Sequence, residues 1–215
     1  FDFAMLDMAH GFARMNLPVM ILACDAAGIT PIVRTPDFSR ADILNALEFG
    51  AGGVQVAMVD TPDQARVLVR ETKFAPVGER GFSSVTRAAD YGRASMSEYA
   101  EAANRETLLI VQLETRRALE NAVEIADVDG IDMIFFGPGD LSQSLGLFGQ
   151  EHDEVVRQAI AQAVTAINGR VPVSTSAFTA AEIHYWRNHG VNTFLTSSIT
   201  PIRRALEATY RDLLD

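Results

Sequence analysis

Short, nearly continuous apolar runs recur along the chain: Phe3–Leu6, Pro31–Val33, Gly53–Ala57, Leu108–Leu113, Met133–Phe136, Val171–Ser174 and Thr193–Thr196. Each has the length and unbroken apolar character of a parallel strand buried on both faces. Between them the pattern shifts to helical spacing. Ser39–Phe49 carries Ile43, Leu44 and Leu47 on one side and stops at Gly50, a C-cap residue. Asp63–Thr72, Val155–Ile167 and Ala180–Asn188 follow the same plan, the last ending near Gly190. A βαβα order with no linker, low-complexity tract or composition break predicts a single α/β domain over residues 1–215.

Seven runs are one short of a closed (β/α)₈ TIM barrel. The chain opens directly on a strand, so the expectation is a TIM barrel whose first βα unit precedes Phe1. The competing fold is an open doubly wound sheet. No glycine fingerprint for a dinucleotide follows any strand, and Gly137-Pro138-Gly139 lacks that spacing.

Composition narrows the partners. The net charge of −10 argues against a nucleic-acid surface and against an anionic membrane. No stretch is apolar over a bilayer-spanning length. Cys24, the only cysteine, sits in an apolar helical run and reads as a small core residue. The absence of an intrachain disulfide makes the cytoplasm the default location. An anionic substrate would therefore need a local positive group.

In a barrel, chemistry gathers where strands end. The first run ends in Asp7, then Met8-Ala9-His10; the second in Arg34; the fourth in Gln112 and Glu114; the fifth in Gly137-Pro138-Gly139-Asp140. Glu114 and Asp140 follow successive strands, which lie about 4.8 Å apart, so both carboxylates can face one hard divalent cation. Either could equally cap the helix that follows, Asp140 as an N-cap. Gly137, Pro138 and Gly139 can bring backbone N–H groups to an anion or form a tight turn. Arg34 can clamp an enolate oxygen, or close a salt bridge with Asp7. Asp7 can orient His10 as a base. His152, His184 and His189 read as surface or packing residues. The segment GERGFSSVTRAADYG, from Gly78 to Gly92, is long and irregular, as functional loops and subunit-contact loops both are.

Lys73, the only lysine, follows a helix rather than a strand. A Schiff-base route needs a lysine at the site. Without one, carbanion chemistry would fall to a metal.

In order and spacing, FDFAMLDMAHG, PIVR, VQLET and FFGPGDLS resemble the HpcH/HpaI aldolases, class II pyruvate-type enzymes that cleave 4-hydroxy-2-oxo acids. GERGFSSVTRAADYG is similar to a loop of that family. The resemblance spans essentially the whole chain. It implies Mg²⁺ or Mn²⁺, with Co²⁺ a third candidate, held by Glu114 and Asp140 with Gln112 close by. Arg34 would stabilise the enolate oxygen, and His10, oriented by Asp7, would move the proton through water. Backbone from Gly137 to Asp140 would hold the carboxylate. It further implies a small 2-oxo acid and an aldehyde as reactants. A homo-oligomer, a hexamer or trimer, would exchange C-terminal helices from Pro201 onward. One position departs: the family reads Asp-x-Glu-His, whereas Ala9 precedes His10 here. Two alternatives stay beside this one, a citrate-lyase-like enzyme acting on a CoA thioester and a catalytically impaired barrel that binds a 2-oxo acid.

Overall fold

The computed structural model describes residues 1–10 and 15–213. Gly11, which closes the first quoted motif, lies outside them. The described strands are β1 (Phe3–Asp7), β2 (Thr30–Thr35), β3 (Gly53–Val56), β4 (Leu108–Leu113), β5 (Met133–Phe136), β6 (Val173–Ser176) and β7 (Thr193–Leu195). They pair in parallel in sequence order. The helices are α1 (Leu17–Ala26), α2 (Arg40–Glu48), α3 (Pro62–Thr72), α4 (Met96–Glu106), α5 (Arg116–Glu120), α6 (Ala122–Ala126), α7 (Pro138–Ser144), α8 (Glu154–Ile167), α9 (Ala180–Asn188) and α10 (Ile199–Asp212).

A doubly wound sheet reverses its strand order at a switch point. Here the order runs β1 to β7 without reversal, and the sheet curls into a nearly closed barrel. Among the described residues β1 and β7 are not paired with each other. A cleft of about 510 Å³ opens between them, lined by Phe3, Met5, Phe194 and Leu195 among others.

Strand parity sorts the core into two layers, because successive side chains point to opposite faces. Val33, Val54, Val56, Leu109, Val111, Leu113, Ile134 and Phe136 face outward and pack against the helices. Ile32, Ile110 and Phe135 face inward and form a separate cluster with Phe3, Met5, Met133 and Leu195. The same inward parity carries on to Asp7, Arg34, Gln55 and Gln112 at the C-terminal strand ends. The barrel thus has an apolar middle and a polar mouth.

Local chemistry fixes the helices. Thr61 and Gln64 form a reciprocal capping box on α3, as do Ser95 and Glu98 on α4 and Thr179 and Glu182 on α9. α3 then buries Ala65, Leu68, Val69 and Thr72, a spacing that keeps one face on the core. Gly50 ends α2 at φ +101°, and a Cβ there would lie 2.3 Å from the Arg87 guanidinium. Cys24 is partly buried and packs against the outer core.

One expectation changes. The sixth strand spans Val173–Ser176 rather than Val171–Ser174. Pro172 has no N–H to donate and supplies only its carbonyl, to Ile134 N at 3.0 Å. The ladder therefore starts after it, displaced by two residues, so the facing of each side chain is kept. The Gly78–Gly92 segment lies between α3 and α4, ahead of β4, at the end of the barrel opposite Glu114. Arg80 stacks on Phe74 at 4.5 Å and donates to Tyr99 Oη at 3.0 Å. Arg87 donates to Phe49 O at 2.9 Å and pairs with Asp25. These contacts fasten the loop to the underside of the barrel.

Lys73 belongs to the same fastening. It is buried and donates to Thr107 O at 2.5 Å, Asn104 O at 3.2 Å and Asp132 Oδ2 at 3.2 Å. Lys73→Met should lower stability by about 1–3 kcal/mol by removing these three bonds, Asp132 Oδ2 keeping only Leu109 N at 2.8 Å. Borohydride treatment with pyruvate should trap no adduct on the wild-type lysine. Denaturant melts and intact mass spectrometry check the two outcomes.

Candidate active site

β1 and β2 bring Asp7 and Arg34 side by side as register partners. Arg34 Nε donates to Asp7 Oδ1 at 2.9 Å, and Arg34 Nη2 pairs with Oδ2. Asp7 Oδ1 also accepts Ala9 N at 2.9 Å. Burial pushes the Asp7 carboxyl up, but Arg34 and the Ala9 N–H outweigh it and hold the group below its ordinary range. Asp7 therefore orients Arg34. His10 is exposed, and among the described contacts it makes no hydrogen bond to Asp7; only its charge reaches that carboxylate.

Glu114 lies one residue beyond β4 and is 2% exposed. Its Oε1 accepts Met58 N at 2.9 Å, and its Oε2 accepts from Gln112 Nε2. Met58 holds this position with φ +60°, a left-handed conformation that costs a non-glycine residue about 1–2 kcal/mol. Burial raises the Glu114 pKa; the Gln112 and Met58 donors oppose this, and Asp140 adds to it through charge and hydrogen bonding. The carboxyl of Asp140 is thus beside that of Glu114. Among the described residues Glu114 has no cationic partner.

Neither acid caps a helix. Thr115 Oγ1 caps α5 by accepting Ala118 N at 3.0 Å. α7 begins at Gly137, placing Asp140 inside its first turn, with no side-chain cap on that helix. Thr115 thus takes the cap of α5, and α7 starts from Gly137 with no side-chain cap.

Gly137 is required by close approach. A Cβ there would lie 2.7 Å from Glu114 Oε2 and 3.2 Å from Gln112 Nε2. Both groups are buried and hydrogen-bonded, so neither has room to yield. Gly137→Ala should leave the fold intact and, were Glu114 to hold Mn²⁺, weaken that affinity by about 10- to 100-fold, the range for a change in a ligand's support. Titration of free Mn²⁺ by electron paramagnetic resonance checks it.

The structure also adds two groups that the motifs did not indicate. Gln55 on β3 donates from Nε2 to Gln112 Oε1 at 2.5 Å. Met58 contributes a backbone N–H. A signal for Gln55 existed, as a lone amide within the apolar run Gly53–Ala57. Met58 had none, because any residue offers an N–H. Of the other histidines, His152 and His184 are exposed, and His189 Nδ1 bonds Tyr185 O at 2.8 Å.

A parallel α/β barrel with an arginine, two adjacent acids and amide donors at its C-terminal mouth can hold a small oxyanion and stabilise negative charge on it. The chain belongs to the HpcH/HpaI aldolase/citrate lyase family, whose model matches residues 1–182. It is 38% identical over 161 residues to a hydroxypyruvate/pyruvate aldolase of Sagittula stellata, covering 74% of this chain and 63% of that protein. It is 42% identical over 138 residues to a 2-keto-3-deoxy-L-rhamnonate aldolase of Klebsiella pneumoniae, covering 64% and 51%. The chain thus spans between about half and just under two-thirds of the length of these relatives. Its fold is similar to an HpcH/HpaI aldolase/citrate lyase family protein from Burkholderia cenocepacia J2315. The TM-score is 0.91 at 29% identity, covering 100% of this chain and 86% of that one.

Proposed function

We propose that the protein is a class II aldolase that reversibly cleaves a 4-hydroxy-2-oxo acid to pyruvate, or a related 2-oxo acid, and an aldehyde. The observation that carries this is Glu114, a buried carboxylate with no cationic partner among the described residues, set beside Asp140 at the barrel mouth. Two adjacent acids without a counter-cation suit a hard divalent ion, Mg²⁺, Mn²⁺ or Co²⁺. Among the described residues no third acid, histidine or cysteine joins them, which leaves positions for water and a chelating substrate. Such an ion would supply Lewis-acid stabilisation of an enolate.

The chain's own groups do the rest. Arg34, held by Asp7, presents its remaining N–H groups to the 2-oxo oxygen as negative charge gathers there. Gly139 and Asp140 lie in the first turn of α7, where backbone N–H groups lack intrahelical partners and suit the substrate carboxylate. Gln112 offers a second N–H at the floor, and Pro138 and Gly137 shape the turn around it. His10, exposed beside the mouth, takes the 4-hydroxyl proton through water and returns one to C3 after the C3–C4 bond has broken.

A homo-oligomer fits the outer surface. Ile199, Ile202, Leu206 and Tyr210 along α10, with Leu213 at its C-cap, are all exposed at helical spacing, an apolar stripe that no other described residue covers. Among the described residues no helix is long and apolar enough to cross a membrane. With one cysteine, partly buried, the chain fits a reducing cytoplasm.

A CoA thioester would need several cationic groups for its phosphates, whereas the residues placed at the mouth supply one, Arg34. The test is exchange of the pyruvate C3 protons for deuterium, followed by NMR with Mg²⁺ or Mn²⁺ and with chelator. Metal-dependent exchange is expected. A folded protein that binds pyruvate without exchange would make it a binding barrel and direct attention to Ala9, where Ala9→Glu restores the family pattern.

A further inference from the structure

We infer that Gln55 is a positioning residue that fixes which end of the Gln112 amide faces the active site and so holds Glu114 in place to bind the metal. This rests on the aldolase reading of the Glu114 and Asp140 pair.

Gln55 is 1% exposed and Gln112 3%. Both point into a barrel whose middle is otherwise lined by Ile32, Ile110, Phe135 and Met133. An amide in such surroundings is costly unless it is hydrogen-bonded. β3 and β4 are neighbours, and their stagger sets the two amides end to end. Gln55 Nε2 donates to Gln112 Oε1 at 2.5 Å, and Gln112 Nε2 donates to Glu114 Oε2. The three side chains form one directed line of hydrogen bonds, and such lines reinforce each bond within them.

The direction follows from chemistry. A carboxylate only accepts, so Glu114 needs the NH₂ end of Gln112. That leaves the Gln112 carbonyl oxygen pointing back into the interior, where only a donor satisfies it. Gln55 is that donor. With an apolar residue at position 55 the Gln112 oxygen would be buried without a partner. The amide would then be drawn to turn over, setting oxygen against carboxylate oxygen and leaving Glu114 with Met58 N alone. Gln55 itself touches neither metal nor substrate. It ensures that Gln112 presents an N–H, never a carbonyl, to Glu114 and to a bound 2-oxo acid.

Gln55→Leu in the full chain tests this, with Gln55→Met as a second variant should the branched side chain fail to fold. Mn²⁺ affinity is read by electron paramagnetic resonance without substrate, and kcat and KM for pyruvate proton exchange are read at saturating Mn²⁺. The expectation is about a tenfold loss of Mn²⁺ affinity, a higher KM for pyruvate and a kcat within threefold of wild type. In a Gln112→Leu background the same change should cost nothing further, since Gln55 acts only through that amide. Unchanged Mn²⁺ affinity, or a loss that adds in full to that of Gln112→Leu, would overturn the inference while leaving the aldolase reading intact. A wild-type protein that neither binds Mn²⁺ nor exchanges pyruvate protons would overturn both.

Discussion

Glu114→Gln is expected to abolish metal-dependent exchange of the pyruvate C3 protons, with a loss of about 10³-fold or more. The size follows from several kcal/mol of charge stabilisation being withdrawn at about 1.4 kcal/mol per decade. Asp140→Asn should have the same effect from the other side of the site. The Glu114 change is informative because it is nearly isosteric. The amide keeps one of the two hydrogen bonds now made to Met58 N and Gln112 Nε2, and it no longer buries a charge.

Its effect on stability separates a ligand from a structural acid. The folded pKa of Glu114 is raised, chiefly by burial. As pH rises through the ordinary carboxylate range, the unfolded chain ionises first and gains on the folded one. Metal-free wild type therefore loses stability from this group as pH rises towards its folded pKa, and Glu114→Gln does not. In chelator at neutral pH the variant should melt close to wild type. On addition of Mn²⁺ only the wild type should gain in Tm. Full metal-dependent exchange by the Gln variant would refute the ligand assignment.

Arg34→Ala is the second large effect, a fall in kcat of about 10²- to 10³-fold, the usual cost of removing one donor to a developing oxyanion. Arg34→Lys should recover little of it. The Asp7 carboxylate engages both Nε and Nη2 of the guanidinium, a fork that an ammonium does not reproduce. The pair also has a pH signature. Asp7 is held below its ordinary range, so its contribution to stability is complete above that range and disappears as pH falls through the folded pKa. The gap in Tm between wild type and Arg34→Ala should be widest at neutral pH and close in strong acid. A constant gap would mean that Arg34 stabilises by packing alone.

The mouth of the barrel was legible because strand ends are legible. Asp7, Arg34, Glu114 and Asp140 follow apolar runs and Gln112 lies near the end of one, and a parallel barrel delivers every such position to one end. What those side chains do there was less visible. Asp7 could serve Arg34 or His10, and Arg34 could clamp a ligand or close an ion pair. The register of β1 on β2 sets Asp7 against Arg34, leaving His10 exposed in the following turn. The Gly78–Gly92 loop stood out by composition, yet its contacts with Phe49, Asp25 and Tyr99 tie it to the far end.

The sequence by itself determined the seven strands, the sixth to within two residues, and their order of alternation with helices. Those are properties of short stretches: an unbroken apolar run or a period of 3.6 is written in neighbouring residues. The tertiary structure decided which groups became partners. The line from Gln55 through Gln112 to Glu114 depends on the stagger between β3 and β4, segments joined through 51 intervening residues, Ala57 to Thr107. The fit of Gly137 against Glu114 depends on β5 lying beside β4. Cross-strand adjacency is a property of the closed sheet, set by packing the whole core at once, and no local period encodes it.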